Sequence, residues 1–198
     1  MTHPQTPEWT DTRYTEMFHD FCIRTDFPNI DLTKLQEECD LVIKGVESVT
    51  RSNFGGYQSP LNNSEKSMYT HFKQLSKLEK TVLDFASSEC VLRNYTSYPL
   101  RRCAWWINKN DIHSYNAVHN HGRADLIGTF YVKSNPNAGD LVVLRNDGSC
   151  YTQLQQQRQF QCSPEEGKFY LMPGHLWHYV GENQHTDRIS ISFNLYIE

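Results

Sequence analysis

Three histidines and one arginine carry most of the chemical interest of this sequence. His119 and His121 stand one residue apart in "YNAVHNH". On a strand, residues i and i+2 project from one face, so the two imidazoles can converge on a point. Neutral imidazole is a good ligand for divalent transition metals. An exposed strand carries the same alternation of polar residues, so the pair needs a third donor before it is a site. His178, in "LWHYV" just after the Pro173–Gly174 turn, is the candidate. Ten residues later Arg188 opens "RISISFNLYI", where Ile189, Ile191, Phe193 and Leu195 alternate with Arg188, Ser190, Ser192 and Asn194. That strand has one apolar face and one polar face, as an ordinary half-exposed strand also does.

The elements that must position these groups change character near residue 90. In "NIDLTKLQEECDLVIKGVES" the residues Leu32, Leu35, Cys39, Val42 and Val46 recur at helical steps behind Asp31, an N-cap, which predicts a helix of about four turns. A second stripe, Met68, Phe72, Leu75, Leu78, Val82 and Phe85, follows an Asn62-x-x-Glu65 capping box, and a second box at Ser76-x-x-Glu79 suggests a break between two helices. "RSNFGGYQSP" between them reads as loop or irregular strand.

From there on, short β-favouring runs alternate with turns: "RCAWWIN", "SYNAVH", "DLIGTFYV", "GDLVVLR", "RQFQC", "KFYLM", "LWHYV" and "RISISFNLYI". Eight short strands without intervening long helices indicate an antiparallel sandwich or barrel. The expected fold is α+β but mainly β: a double-stranded β-helix (a jelly-roll, cupin-like) buttressed by N-terminal helices. We expect one domain over 1–198, with a mainly helical support in 1–90 and the jelly-roll core in 91–198.

Composition narrows the partners. The chain has 198 residues, 21% charged, 38% hydrophobic and 13% aromatic, with a formal net charge of −4, which describes a soluble globular protein without general attraction to nucleic acid. No apolar run approaches the roughly 18 residues of a membrane span, and the first residues lack the order of a signal peptide, so no membrane association and a cytoplasmic location are expected. Six cysteines without a C-x-x-C pair read as reduced residues of core or surface.

Taken together, "YNAVHNH", "GTFYV", "LWHYV" and "RISISFN", with "GGYQS" and "WWIN" as weaker echoes, resemble the iron(II)- and 2-oxoglutarate-dependent oxygenases over roughly residues 51 to 198. The likeness is to the small phage and bacterial branch with H-x-H and a C-terminal "RISISFN"; a phage-encoded member would work in the host cytoplasm. The resemblance implies Fe(II), 2-oxoglutarate and O2 as cofactors and co-substrates. It implies oxidation, usually hydroxylation, of a small molecule or protein, with release of succinate and CO2. By position it makes His119 and His178 metal ligands, and it sets His121 where the family usually carries a carboxylate. Asp125, four residues further on, is the substitute for that third ligand. Arg188 and Ser190 would bind the distal carboxylate of 2-oxoglutarate. Tyr131 or Thr129, and Asn116 or Tyr115, would help to hold it.

Two other readings fit parts of the pattern. "HNHGRAD" with "GKFYLMPGHLWH" fits a cupin-type metalloenzyme that does not use 2-oxoglutarate, with Asp125 as a fourth ligand and Arg188 left without a role. A metal-free jelly-roll binding module accounts for the strands alone. Of the remaining histidines only His175 is expected near the site. Trp105, Trp106 and Trp177 are expected in the core, with one at the mouth of the substrate site, and Arg123 and Arg145 near the rim would favour an anionic substrate.

Overall fold

The computed structural model describes residues 10–17, 20–63, 69–92, 100–135, 137–144, 159–185 and 187–197. The N-terminal part contains β1 (Thr10–Met17), β2 (Asp20–Asp26), α1 (Leu32–Gly45), β3 (Asn53–Phe54), β4 (Tyr57–Gln58), β5 (Asn62–Asn63) and α2 (Lys73–Leu92). The rest contains β6 (Leu100–Asn110), β7 (Tyr115–His119), β8 (Leu126–Lys133), β9 (Leu141–Leu144), β10 (Gln159–Cys162), β11 (Lys168–Pro173), β12 (His178–Val180) and β13 (Arg188–Ile197). All eight runs expected from residue 90 onward are strands.

They form two antiparallel sheets. The major sheet has the order β1-β2-β11-β8-β13-β6-β4, with β5 also paired to β6; the minor sheet has the order β10-β9-β12-β7-β3. The expected double-stranded β-helix is the observed architecture. One apolar core lies between the helices and the major sheet, where Ile189, Ile191, Phe193 and Leu195 of β13 meet residues such as Leu35, Val42, Leu78 and Phe85. A second cluster, including Cys22, Ile127, Tyr131, Leu141, Val143 and Met172, draws on both sheets. The strict alternation of β13 therefore divides its residues between the helix-side core and the space enclosed by the sheets.

The first 90 residues contain the two helices and also contribute strands to the sheets. They are not a helical support alone, because β2 pairs with β11 and extends the major sheet to β1. "DFCIRTD" shows no alternation because both faces of β2 are buried, with Phe21 and Ile23 in the helix-side core and Cys22 in the other. The second helix starts at Lys73, not after Asn62, which instead pairs with Trp105 in β5–β6. Glu65 and Met68 lie outside the described residues. The cap of α2 comes from another helix: the Glu38 carboxylate of α1 accepts the N–H groups of Gln74 and Leu75 at 3.0 and 2.8 Å. The helix runs unbroken through Ser76 and Glu79. Asp31 caps α1 as expected, accepting the Lys34 N–H at 3.1 Å.

The five described cysteines are buried and form no disulfide with one another. Among the described residues no helix is long and apolar enough to cross a membrane.

Candidate functional site

His119 ends β7, and His178 begins β12 directly opposite it in the antiparallel register. A pair so placed brings side chains together on one face, and the two ring centroids are 4.4 Å apart. His121 reaches the same place by another route. It lies beyond the end of β7, so strand alternation does not explain its direction. Its backbone N–H donates to Gly174 O at 3.0 Å, which ties it to the Pro173–Gly174 turn ahead of β12. Gly174 is obligatory there, since a Cβ would sit 2.0 Å from Ala124 O. The ring of His121 is 5.2 Å from that of His119 and 5.0 Å from that of His178. One ligand nitrogen from each of the three histidines lies within 4.8 Å of the others.

The tautomers follow from the partners. His119 Nδ1 is 2.7 Å from Ala117 O and His178 Nδ1 is 2.9 Å from Leu176 O; carbonyl oxygens only accept, so both Nδ1 atoms carry the proton. His121 Nδ1 likewise donates to Asn194 Oδ1 on β13. Each ring thus keeps an unprotonated Nε2. His119 Nε2 also lies 3.5 Å from the Ser52 hydroxyl.

Burial keeps all three rings neutral. It pushes His178 down to about 3, helped by the imidazoles of His119 and His121. It pushes His121 down to about 4 despite the bond to Asn194, and lowers His119 as well. A cluster of neutral, oriented imidazoles suits a transition-metal cation.

Asp125 is not in this cluster. Its Oδ2 accepts the Ile197 N–H at 2.8 Å, while its backbone N–H donates to Leu195 O and its carbonyl accepts the Gly174 N–H. It is a fastener between β13 and the turn, and the geometry brings in His121 in its stead.

Arg188 projects from β13 into the same pocket, which is also lined by Ser190, Tyr131, Asn116 and Thr129. Although only 1% exposed, it has no carboxylate partner among the described residues. Its Nη1 donates to Asn110 Oδ1 at 2.8 Å and Ser190 Oγ at 3.2 Å, its Nη2 to the Tyr131 hydroxyl at 3.4 Å, and its buried Nε has no partner. Tyr131 is raised to about 12 by burial, so it stays a neutral phenol. Asn116 contacts Asn110 at 3.4 Å and Ser52 at 3.3 Å. Gly128, on the pocket wall, leaves room for Phe169, whose ring would lie 2.3 Å from an added Cβ.

Other expectations divide. Tyr115 is exposed and stacks on Phe54 outside the pocket. His175 is exposed and pairs with Asp20 at 3.1 Å, away from the cluster. Trp105 is core and donates to Glu79 at 2.7 Å, Trp177 is exposed, and Trp106 lines the pocket. Arg123 is exposed and lines neither the pocket nor the groove beside it, and Arg145 lies outside the described residues. Asn110 and Ser52 were not anticipated. Asn110 could have been found as the register partner of Arg188 on β6; nothing in the text around Ser52 marks it.

Residues 104–194 match the model of a family described as "Putative 2OG-Fe(II) oxygenase", 2OG being 2-oxoglutarate. The matched segment is 91 of the 198 residues and contains His119, His121, His178 and Arg188. Solved structures agree in fold. A prolyl-4-hydroxylase from Pseudomonas putida superposes with a TM-score of 0.63 at 11% identity, over 85% of this chain and 87% of that one. A Trichoplax adhaerens prolyl hydroxylase, in complex with a peptide fragment of a hypoxia inducible factor, gives 0.60 at 14% identity over 84% and 78%. The 2-oxoglutarate (alpha-ketoglutarate)-dependent carbocyclase SnoK of nogalamycin biosynthesis gives 0.62 at 9% identity over 89% and 79%. No curated protein matches the sequence. The family that matches is one of oxygenases that use Fe(II), 2-oxoglutarate and O2.

Proposed function

We propose that His119, His121 and His178 hold the Fe(II) of this oxygenase through their Nε2 atoms, and that Arg188 and Ser190 anchor 2-oxoglutarate, with Tyr131 and Asn116 beside them. The observation that carries this reading is the joint arrangement: three neutral imidazoles within 4.8 Å and a buried, carboxylate-free guanidinium line one pocket. The donor set fits the metal, since each ring is held by its Nδ1–H and offers a free Nε2. The pocket also fits the co-substrate. A buried cation with only neutral partners and an orphaned Nε calls for an anion.

Bound Fe(II), with 2-oxoglutarate and O2, supplies an oxidation that releases succinate and CO2 and delivers oxygen to a substrate C–H bond. The residues of this chain do the rest. Arg188 orients a carboxylate, Tyr131 and Ser190 complete its hydrogen bonds, and Trp106 and Ile127 give the pocket apolar wall. The combination of H-x-H with the terminal "RISISFN" supports a place in the small phage and bacterial branch. A cupin-type reading leaves Arg188 idle, and a binding module leaves the histidine cluster idle.

The test is anaerobic titration with Fe(II), then with 2-oxoglutarate, followed by iron analysis and visible absorption. One iron per chain and a weak band that appears only with 2-oxoglutarate are expected. Iron without a response to 2-oxoglutarate would indicate the cupin, and no iron the binding module.

A further inference from the structure

Beside the pocket the surface falls into a groove of about 730 Å³ that shares Ser52, Trp106 and His119 with it. Its walls include apolar side chains left open to solvent: Phe54, Leu61 and Val118 are 49%, 53% and 52% exposed. Exposed apolar surface gathered in a concavity marks a binding site more often than a bare surface. Arg51 is the one charged side chain of the lining. Its guanidinium has no ion pair or hydrogen bond with another described residue, whereas its backbone is pinned. Asn53 Oδ1 accepts the Arg51 N–H at 2.8 Å, and the neighbouring Ser52 O accepts the Ala117 N–H at 2.8 Å. Arg51 is thus held one residue from the Ser52 hydroxyl that touches His119.

We propose that this groove receives the molecule to be oxidised and that this molecule is a small apolar organic anion, its charge on Arg51 and its carbon body against Phe54, Leu61, Trp106 and Val118. The proposal rests on the oxygenase reading above and deepens it by naming a substrate class. The volume lies within the roughly 300 to 1,000 Å³ of pockets that take small ligands. Apolar walls select a carbon-rich body, and a lone guanidinium among them selects a carboxylate, sulfonate or similar planar or tetrahedral anion over a neutral or cationic head. Arg51 is then a specificity-determining residue, distinct from the Arg188 anchor. The reaction balances with the class chemistry: one oxygen atom of O2 enters the substrate C–H bond, the other enters the new carboxylate of succinate, and CO2 leaves.

The experiment is a fluorescence titration of the full, metal-free chain with 8-anilinonaphthalene-1-sulfonate and with its uncharged relative N-phenyl-1-naphthylamine. The sulfonate should bind the wild type. Arg51→Ala should weaken it about tenfold, the loss of one charge-assisted contact, and Arg51→Glu further, while Arg51→Lys retains most of the binding. The uncharged dye should be indifferent to all three, and Leu61→Asp should weaken both dyes. Equal sulfonate binding by wild type and Arg51→Glu would overturn the proposal. So would displacement of the dye by uncharged peptides but not by aryl carboxylic acids, which would make the groove a peptide site. The Fe(II)–2-oxoglutarate absorption band, recorded on the same proteins, should be unchanged in Arg51→Glu. Its absence from the wild type would overturn the oxygenase reading alone and leave the dye result standing.

Discussion

His119 and His178 face each other across the β7–β12 pair as direct register partners, although 59 positions apart in the chain. The hydrogen bonds of that strand pair set the spacing of the two rings, and the third ring is brought in by a turn. Loss of any one ring should therefore cost the metal without unfolding the sheet. We expect His178→Ala and His121→Ala to lose stoichiometric Fe(II), and Asp125→Asn to keep it, by iron analysis after desalting. Full iron in His121→Ala would move the third ligand elsewhere.

Arg188 gives a prediction that separates stability from binding. A buried guanidinium without an opposite charge is a burden on the ligand-free fold. Arg188→Met should unfold at the same or a higher temperature than the wild type when no ligand is present. Adding 2-oxoglutarate with a redox-inert divalent metal should raise the melting temperature of the wild type and leave the variant nearly unmoved. The affinity lost should correspond to about 2 to 4 kcal/mol, one or two charge-assisted hydrogen bonds. A melting curve of Arg188→Met that rises with 2-oxoglutarate as the wild type does would remove the anchor role.

The histidine cluster makes the metal-free protein acid-sensitive in a defined window. The folded-state values of His178 and His121 lie near 3 and 4, below the roughly 6.5 of an unfolded chain. Between those limits the unfolded chain binds protons that the folded one refuses, so stability is present above about pH 6.5 and is lost as pH falls. Each ring contributes up to about 1.4 kcal/mol per pH unit in that window. Thermal melts from pH 7 to 5 should fall more steeply for the wild type than for His178→Gln; identical slopes would mean that the ring is not held neutral by burial.

The cap shared between helices is a stability element remote from the chemistry. Glu38→Ala should remove both acceptors from the first turn of α2 and cost about 1 to 2 kcal/mol. Denaturant midpoints should show the loss while iron stoichiometry stays unchanged.

The strands of the second half were readable because most of them keep one face in the core and show period-two alternation or turn punctuation. β13 is the plainest example, its apolar residues against the helices and Arg188 and Ser190 in the pocket. β2 was not readable, since both its faces are buried. The start of α2 was not readable either, because its cap is supplied by Glu38 from outside the segment. For the site, spacing along a strand pointed to His119 and His121, but His121 owes its place to Gly174 and Asn194, neighbours in space that local pattern does not carry. Arg188 was legible by its position, and its partner Asn110 only through the β6–β13 register.

Asp125 has a consequence for the mechanics of the molecule. It grips β13 at Leu195 and Ile197 and holds the Gly174 turn that in turn carries His121. At its opposite end the same strand delivers Arg188. A load placed on the far end of β13, such as a fusion joined directly after Ile197, should reach the turn that carries His121 and the pocket of Arg188 together. The two halves of the site are thus strung on one strand and would lose their alignment together.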